Sequence, residues 1–189
     1  DDVIRSCAGL WLEAIATRPF ALPGGSVPVT VSLLSRSDVP VTLTQVVMPS
    51  GAALRDASDS TRSLANRPLS RNIPVEGTTT VSPAKSATMT QPYWLRQRPG
   101  AGAYQVRKAG ATDTVEKETP DEAENRPALA VRFELEIVGE RIAYDVPVLY
   151  RWTDRVAGER YRPLEVVPPV TLRLDRSAYL FAEAKPREV

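Results

Sequence analysis

The chain has 189 residues with a net charge of +1, 42% of them apolar and 25% charged. This composition supports a packed core and excludes a chain disordered by composition. Lys and Arg are scattered, which argues against the basic stripe of a nucleic-acid-binding protein, and no apolar run approaches the roughly 20 residues needed to span a bilayer.

In chain order, Asp2 to Ala8 opens with a helical turn, and Cys7 within it reads as a small buried apolar residue. Leu10 to Ala16 reads as a strand, closed by a turn at Pro23-Gly24-Gly25. Val27, Val29, Val31 and Leu33 then alternate with Pro28, Thr30 and Ser32, the period of a half-buried strand. After a turn at Arg36-Ser37-Asp38, Val39, Val41 and Leu43 continue the pattern to Val47. Residues 50 to 80 are rich in Ser, Thr, Arg and Ala and weakly periodic, a long excursion with one or two short strands at Asn72 to Val75 and Thr78 to Val81. "QPYWL" at 91 to 95 is apolar and aromatic, and 108 to 127 is a polar, charged loop.

The strongest signal comes next. Leu129, Val131, Phe133, Leu135 and Ile137 occupy every odd position, and Ile142, Tyr144, Val146, Val148, Tyr150 and Trp152 every even one. These are two strands of a hairpin, with Gly139-Glu140 expected as a type II′ turn. The same alternation places Tyr150 and Trp152 on the buried face with Val146 and Val148. Val166 to Leu174 and Ala178 to Phe181 read as closing strands. Short strands with Gly and Pro turns predict an all-β fold, an Ig-like antiparallel β-sandwich with a long irregular insertion in the middle of the chain. Residues 1–189 are expected to form one elaborated domain, the alternative being two sub-domains divided near residue 80.

Histidine is absent and Cys7 is the single cysteine. That removes the commonest general base, the Ser-His and Cys-His dyads and a zinc site of imidazoles and thiolates. No calcium-loop pattern, glycine-rich phosphate loop or serine elbow occurs, so no catalytic residue, cofactor or metal is expected. The densest cluster of chemistry is "VLYRWTDRVAGERYRP" at 148 to 163. If Tyr150 and Trp152 complete the core, the residues left at the sheet end to touch a sugar or a neighbouring domain are Arg151, Asp154, Glu159 and Tyr161. Tyr93 and Trp94 are adjacent and would face opposite sides of a strand, which makes Trp94 a further candidate contact. Asp154 and Glu159 as a glycosidase pair is the remaining catalytic alternative.

"CAGLWLEA", "PGGSVPVTVSLLSRSDVPVTL", "QPYWL" and "PVLYRWTDRVAGERYRPLEVVPPV" together resemble the accessory region of bacterial PIG-L (LmbE-like) deacetylases. In that family a deacetylase domain is followed by Ig-like or related β-sandwich domains. The resemblance implies that a parent protein is a zinc-dependent N-acetylglucosamine-type deacetylase, secreted or periplasmic. The family's His-Pro-Asp-Asp motif and distant His are absent, so no catalytic residue carries over. A chain opening on Asp-Asp is expected to be a piece of a longer protein. The expected function is a non-catalytic accessory module that binds glycan or packs on a neighbouring catalytic domain, with no nucleic acid and no membrane span. The alternative is an architectural spacer or protein-interaction domain, for which Trp94, Trp152 and Tyr161 should be buried or covered.

Overall fold

The computed structural model describes residues 2–51, 54–59, 63–92, 100, 127–173 and 175. The protein is predominantly β, 50% strand against 6% helix, with several sheets. The helix α1 (Asp2–Cys7) contributes no buried residue. Cys7 is accordingly exposed rather than buried, and the core begins one residue later at Ala8.

The first strands are β1 (Leu10–Ala16), β2 (Phe20–Ala21), β3 (Val27–Ser35) and β4 (Val41–Val47). A short 3₁₀ turn at Pro49–Gly51 precedes β5 (Arg55–Asp56), β6 (Arg67–Pro68) and β7 (Val75–Val81). The remaining strands are β8 (Ala130–Ile137), β9 (Glu140–Pro147), β10 (Leu149–Asp154), β11 (Gly158–Pro163) and β12 (Glu165–Val166). One strand, β7, replaces the two short pieces expected after residue 72, because Asn72 turns the chain with a positive φ of 58°. The closing strand stops at Val166; residues 167 to 173 form no strand, and Leu174 and Ala178 to Phe181 lie outside the described residues.

The strands form a six-stranded sheet ordered β11-β10-β1-β3-β7-β5, a four-stranded sheet ordered β6-β4-β8-β9, and a small β12-β2 pair. Sequence alternation becomes burial alternation directly. In β1, Leu10, Leu12, Ala14 and Ala16 are buried, and Trp11, Glu13 and Ile15 are not. In β8, Val131, Phe133, Leu135 and Ile137 are buried. Residues of both large sheets join one hydrophobic cluster, including Val29, Val31 and Leu33 from β3 and Leu43, Phe133 and Leu135 from β4 and β8. Apolar area leaving water is the main favourable contribution here.

At one side of the core the edge strands of the two large sheets are clasped. Asp56 on β5 is 4% exposed and accepts a hydrogen bond from Arg67 on β6. Its other oxygen accepts from the backbone N–H of Ser58 at 2.8 Å and from the Ser58 hydroxyl at 2.6 Å. A buried carboxylate is tolerated only when its oxygens are satisfied in this way. The Ser58 hydroxyl and N–H, with Arg67 behind them, pull the Asp56 carboxyl down to about 2. Gly77 on the adjoining β7 leaves room for this edge: a Cβ there would stand 3.0 Å from the Arg55 carbonyl oxygen.

The β8–β9 hairpin pairs Ile137 with Glu140, so its two loop residues are Val138 and Gly139, one position earlier than expected. Both have positive φ, 52° and 87°, the signature of a type I′ rather than a type II′ turn. A β-branched residue resists that conformation, and Val138 is 69% exposed, so burial offers little compensation. Val138→Asn, which restores the preferred Asn-Gly pair, is therefore expected to raise the free energy of unfolding by about 1 kcal/mol. Urea denaturation checks it, and a decrease in stability would contradict the turn assignment.

The run from Ile142 to Trp152 is two strands, not one. β9 ends at Pro147 in the four-stranded sheet, and β10 begins at Leu149 in the six-stranded sheet. Val148 is the corner: it is 1% exposed, its N–H donates to the Leu129 carbonyl, and its carbonyl accepts from the Leu164 N–H. Both polar backbone groups are thus satisfied where the chain changes sheets.

Candidate binding surface

β10 pairs in parallel with β1 over two positions only, Ile15↔Leu149 and Ala16↔Tyr150. β1 then ends, and β10 continues with β11 alone from Arg151↔Tyr161 to Asp154↔Gly158. From Arg151 to Tyr161 the resulting ribbon is exposed on both faces. This corrects the expected burial of Trp152. Its position in the alternation points it to the core side, but the ribbon has run past the end of β1, and Trp152 is 37% exposed. Tyr150, at the last position paired with β1, is half-buried. Its ring lies nearly parallel to that of Trp152, 14° between planes and 6.0 Å between centroids, an offset aromatic stack.

The opposite face of the ribbon brings together Arg151, Glu159 and Tyr161. Arg151 and Tyr161 are directly cross-strand, and the Tyr161 hydroxyl donates to the Glu159 carboxylate. That hydrogen bond raises the Tyr161 phenol above its ordinary range. The Tyr161 oxygen across the strand, with the Glu13 and Glu159 carboxylates, raises the pKa of the Arg151 guanidinium too. Arg151 Nη1 is 3.2 Å from Glu13 Oε1, and its Nε is 3.8 Å from Glu159 Oε2.

Glu13 extends the cluster onto β1. Its side chain is only 12% exposed, and it accepts a second hydrogen bond from the Trp11 indole N–H at 3.3 Å. The Arg36 guanidinium lies 5.9 Å from the Trp11 ring centroid, in cation–π range. A connected band therefore crosses the outer face of the six-stranded sheet: Arg36, Trp11, Glu13, Arg151, Tyr161, Glu159. It carries an exposed ring near each end, Trp11 at 44% and Tyr161 at 39%. Trp11, Glu13 and Arg36 were not among the candidates expected from sequence. A signal for Trp11 and Glu13 was present in "LWLEAIA", where both fall in the outward phase of the strand; nothing in the sequence singled out Arg36.

Asp154 does not join this band. Its Oδ1 accepts from the backbone N–H groups of Val156 and Ala157, both at 2.8 Å, so it shapes the turn between β10 and β11. Those two bonds, Ala157 first, lower its pKa, and such local capping is common for Asp at turns. Asp154 shares its face with Trp152, and Glu159 is paired with Thr153 on the other face. The two carboxylates therefore do not confront each other as an acid and a base must across a glycosidic bond. Trp94 lies outside the described residues. Among the described residues no group of three or more His, Cys, Asp or Glu could hold a metal ion, and no helix is long and apolar enough to cross a membrane. In comparisons with protein-family models, curated proteins and solved structures, none matches the chain.

Proposed function

We propose that the chain is a non-catalytic accessory module, a single Ig-like β-sandwich with a long irregular insertion in the middle of the chain, that binds glycan on the outer face of its six-stranded sheet. The observation that carries this reading is the band from Trp11 to Tyr161. Exposed rings present apolar faces on which a pyranose can stack. The carboxylates and guanidinium between them are already ordered by mutual hydrogen bonds, so little further entropy is lost on engaging sugar hydroxyls. The resemblance to the accessory region of PIG-L deacetylases supplies the context: a secreted or periplasmic parent, with a neighbouring catalytic domain that acts on acetylated amino sugars. The lack of histidine in the chain favours a binding role over a catalytic one.

Calorimetric titration of the chain with N-acetylglucosamine oligomers and cell-wall fragments tests the proposal. Binding is expected, with Trp11→Ala and Tyr161→Ala each weakening it about tenfold or more, roughly 1.4 kcal/mol. Binding that survives both substitutions would place the ligand elsewhere, and no heat with any of these sugars would refute glycan recognition. A second reading, packing on the catalytic domain, is favoured by the exposure of both ribbon faces. It predicts that Trp152 is quenched by acrylamide in this chain and shielded in the parent protein.

A further inference from the structure

β11 is the end strand of the six-stranded sheet, and among the described residues no strand pairs with its other side. Alternate residues of an edge strand turn their backbone N–H and C=O groups outward, and these form a template for another strand. Natural edges are usually blunted by proline, bulges or charge. Here the Gly158–Pro163 strand carries its proline only at the last position, and the register with β10 is unbroken. Charge is the feature that decides what the edge accepts.

A second copy of the chain does not fit. A two-fold axis normal to the sheet keeps matching faces together, so it pairs residues of equal parity. Centring that axis on Glu159, Arg160, Tyr161 or Arg162 sets Glu159 on Glu159, Arg160 on Arg160, Arg160 on Arg162, or Arg162 on Arg162, respectively. Like charges directly opposite are destabilising in every one of these registers. The same charges suit a different strand. Arg160 and Arg162 share the face that carries Trp152 and Tyr150, their direct cross-strand neighbours. Arg162 pairs with Glu165 at 2.8 Å, whereas Arg160, and Arg155 in the turn, have no carboxylate partner among the described residues. On the other face Arg151 is already flanked by Glu13 and Glu159.

We infer that β11 accepts an extended acidic segment of another protein or domain as an added strand. The segment carries carboxylates two residues apart, facing Arg160 and Arg162, with a β-branched or aromatic residue between them opposite Tyr161. This inference rests on the strand edge and on the face that carries Arg160 and Arg162; the added strand meets the Trp11–Tyr161 band at Tyr161 alone, and Arg160→Glu leaves that band intact.

The test uses the full chain, ¹⁵N-labelled, titrated with a short capped peptide that alternates Glu and Val. The expected result is shift changes and slowed amide exchange centred on residues 158 to 163, with affinity at least about tenfold weaker for Arg160→Glu. The matching peptide alternating Lys and Val should bind that variant better than it binds the wild type. Three results would overturn the inference: no change in β11 amides at about 1 mM peptide, equal binding of the Lys and Glu peptides to the wild type, or undiminished binding after N-methylation of alternate peptide amides. Arg160 lies away from the glycan band, so sugar titration of Arg160→Glu should match the wild type, and the two readings fail independently.

Discussion

Phe133→Ala is expected to lower the free energy of unfolding by about 3–5 kcal/mol, the loss of buried area plus the cost of the cavity left behind. Phe133 heads the fully buried side chains, at 0% exposure. It lies on β8 between Val46 of β4 and Tyr144 of β9, in a strand paired on both sides. Few neighbours there can collapse into the space without breaking ladder hydrogen bonds. Domains of this size are stable by only about 5–15 kcal/mol, so the loss is a large fraction of the total. Denaturation followed by tryptophan fluorescence and by far-UV circular dichroism measures it. Trp11 and Trp152 report from the six-stranded sheet, whereas Phe133 lies in the four-stranded one. The two signals should nevertheless shift together, because both sheets supply the same core cluster. Separate transitions would speak for two sub-domains instead.

The second large effect concerns Asp56. Its carboxyl is held at about 2, against 3.8 for the unperturbed group, first by the Ser58 hydrogen bonds and then by Arg67. A folded-state pKa below the unfolded one adds stability at pH values above the unfolded pKa. That contribution is lost as pH falls from about 4 to about 2, where the native carboxylate finally takes up its proton. Asp56→Asn is therefore expected to be less stable than the wild type at pH 7 and to show a shallower loss of stability between pH 4 and pH 2. Denaturant midpoints measured across that range decide the matter. Equal acid slopes in the two proteins would mean that the clasp between β5 and β6 contributes nothing through charge.

Much of the fold was legible because alternation reports burial directly. The segments that became β1, β3, β4, β8 and β9 all stand out by period two, as in Leu129 to Ile137. Alternation identifies a face but not a sheet, and this explains the one large misreading. The phase of Tyr144, Val146, Val148, Tyr150 and Trp152 runs unbroken through the corner at Val148, while the chain passes from one sheet to the other. The phase also cannot reveal where a neighbour ends. Trp152 occupies an inward position at a place beyond the last residue of β1, so it remains exposed. The Val138-Gly139 turn was misplaced for a related reason, since the sequence offers a valine where a positive φ would ordinarily select Asn or Gly.

The candidate site was half legible. Arg151, Glu159 and Tyr161 lie within one hairpin, and local reading found them. Glu13 completes the band from 138 positions away in sequence, and only the parallel pairing of β1 with β10 brings it there. Asp154 looked like available chemistry, but its carboxylate is committed to the turn.

That parallel pairing has a consequence for how the molecule comes into being. β1 is made well before β10, one of its two neighbours in the sheet, and β4 likewise waits for β8. Such remote partners impose a large loop-closure penalty before any contact rewards it. β1 and β4 must therefore remain incompletely paired until β8 and β10 have left the ribosome. Refolding is expected on a millisecond-to-second scale rather than in microseconds, and the waiting strand edges are where a chaperone would be needed most.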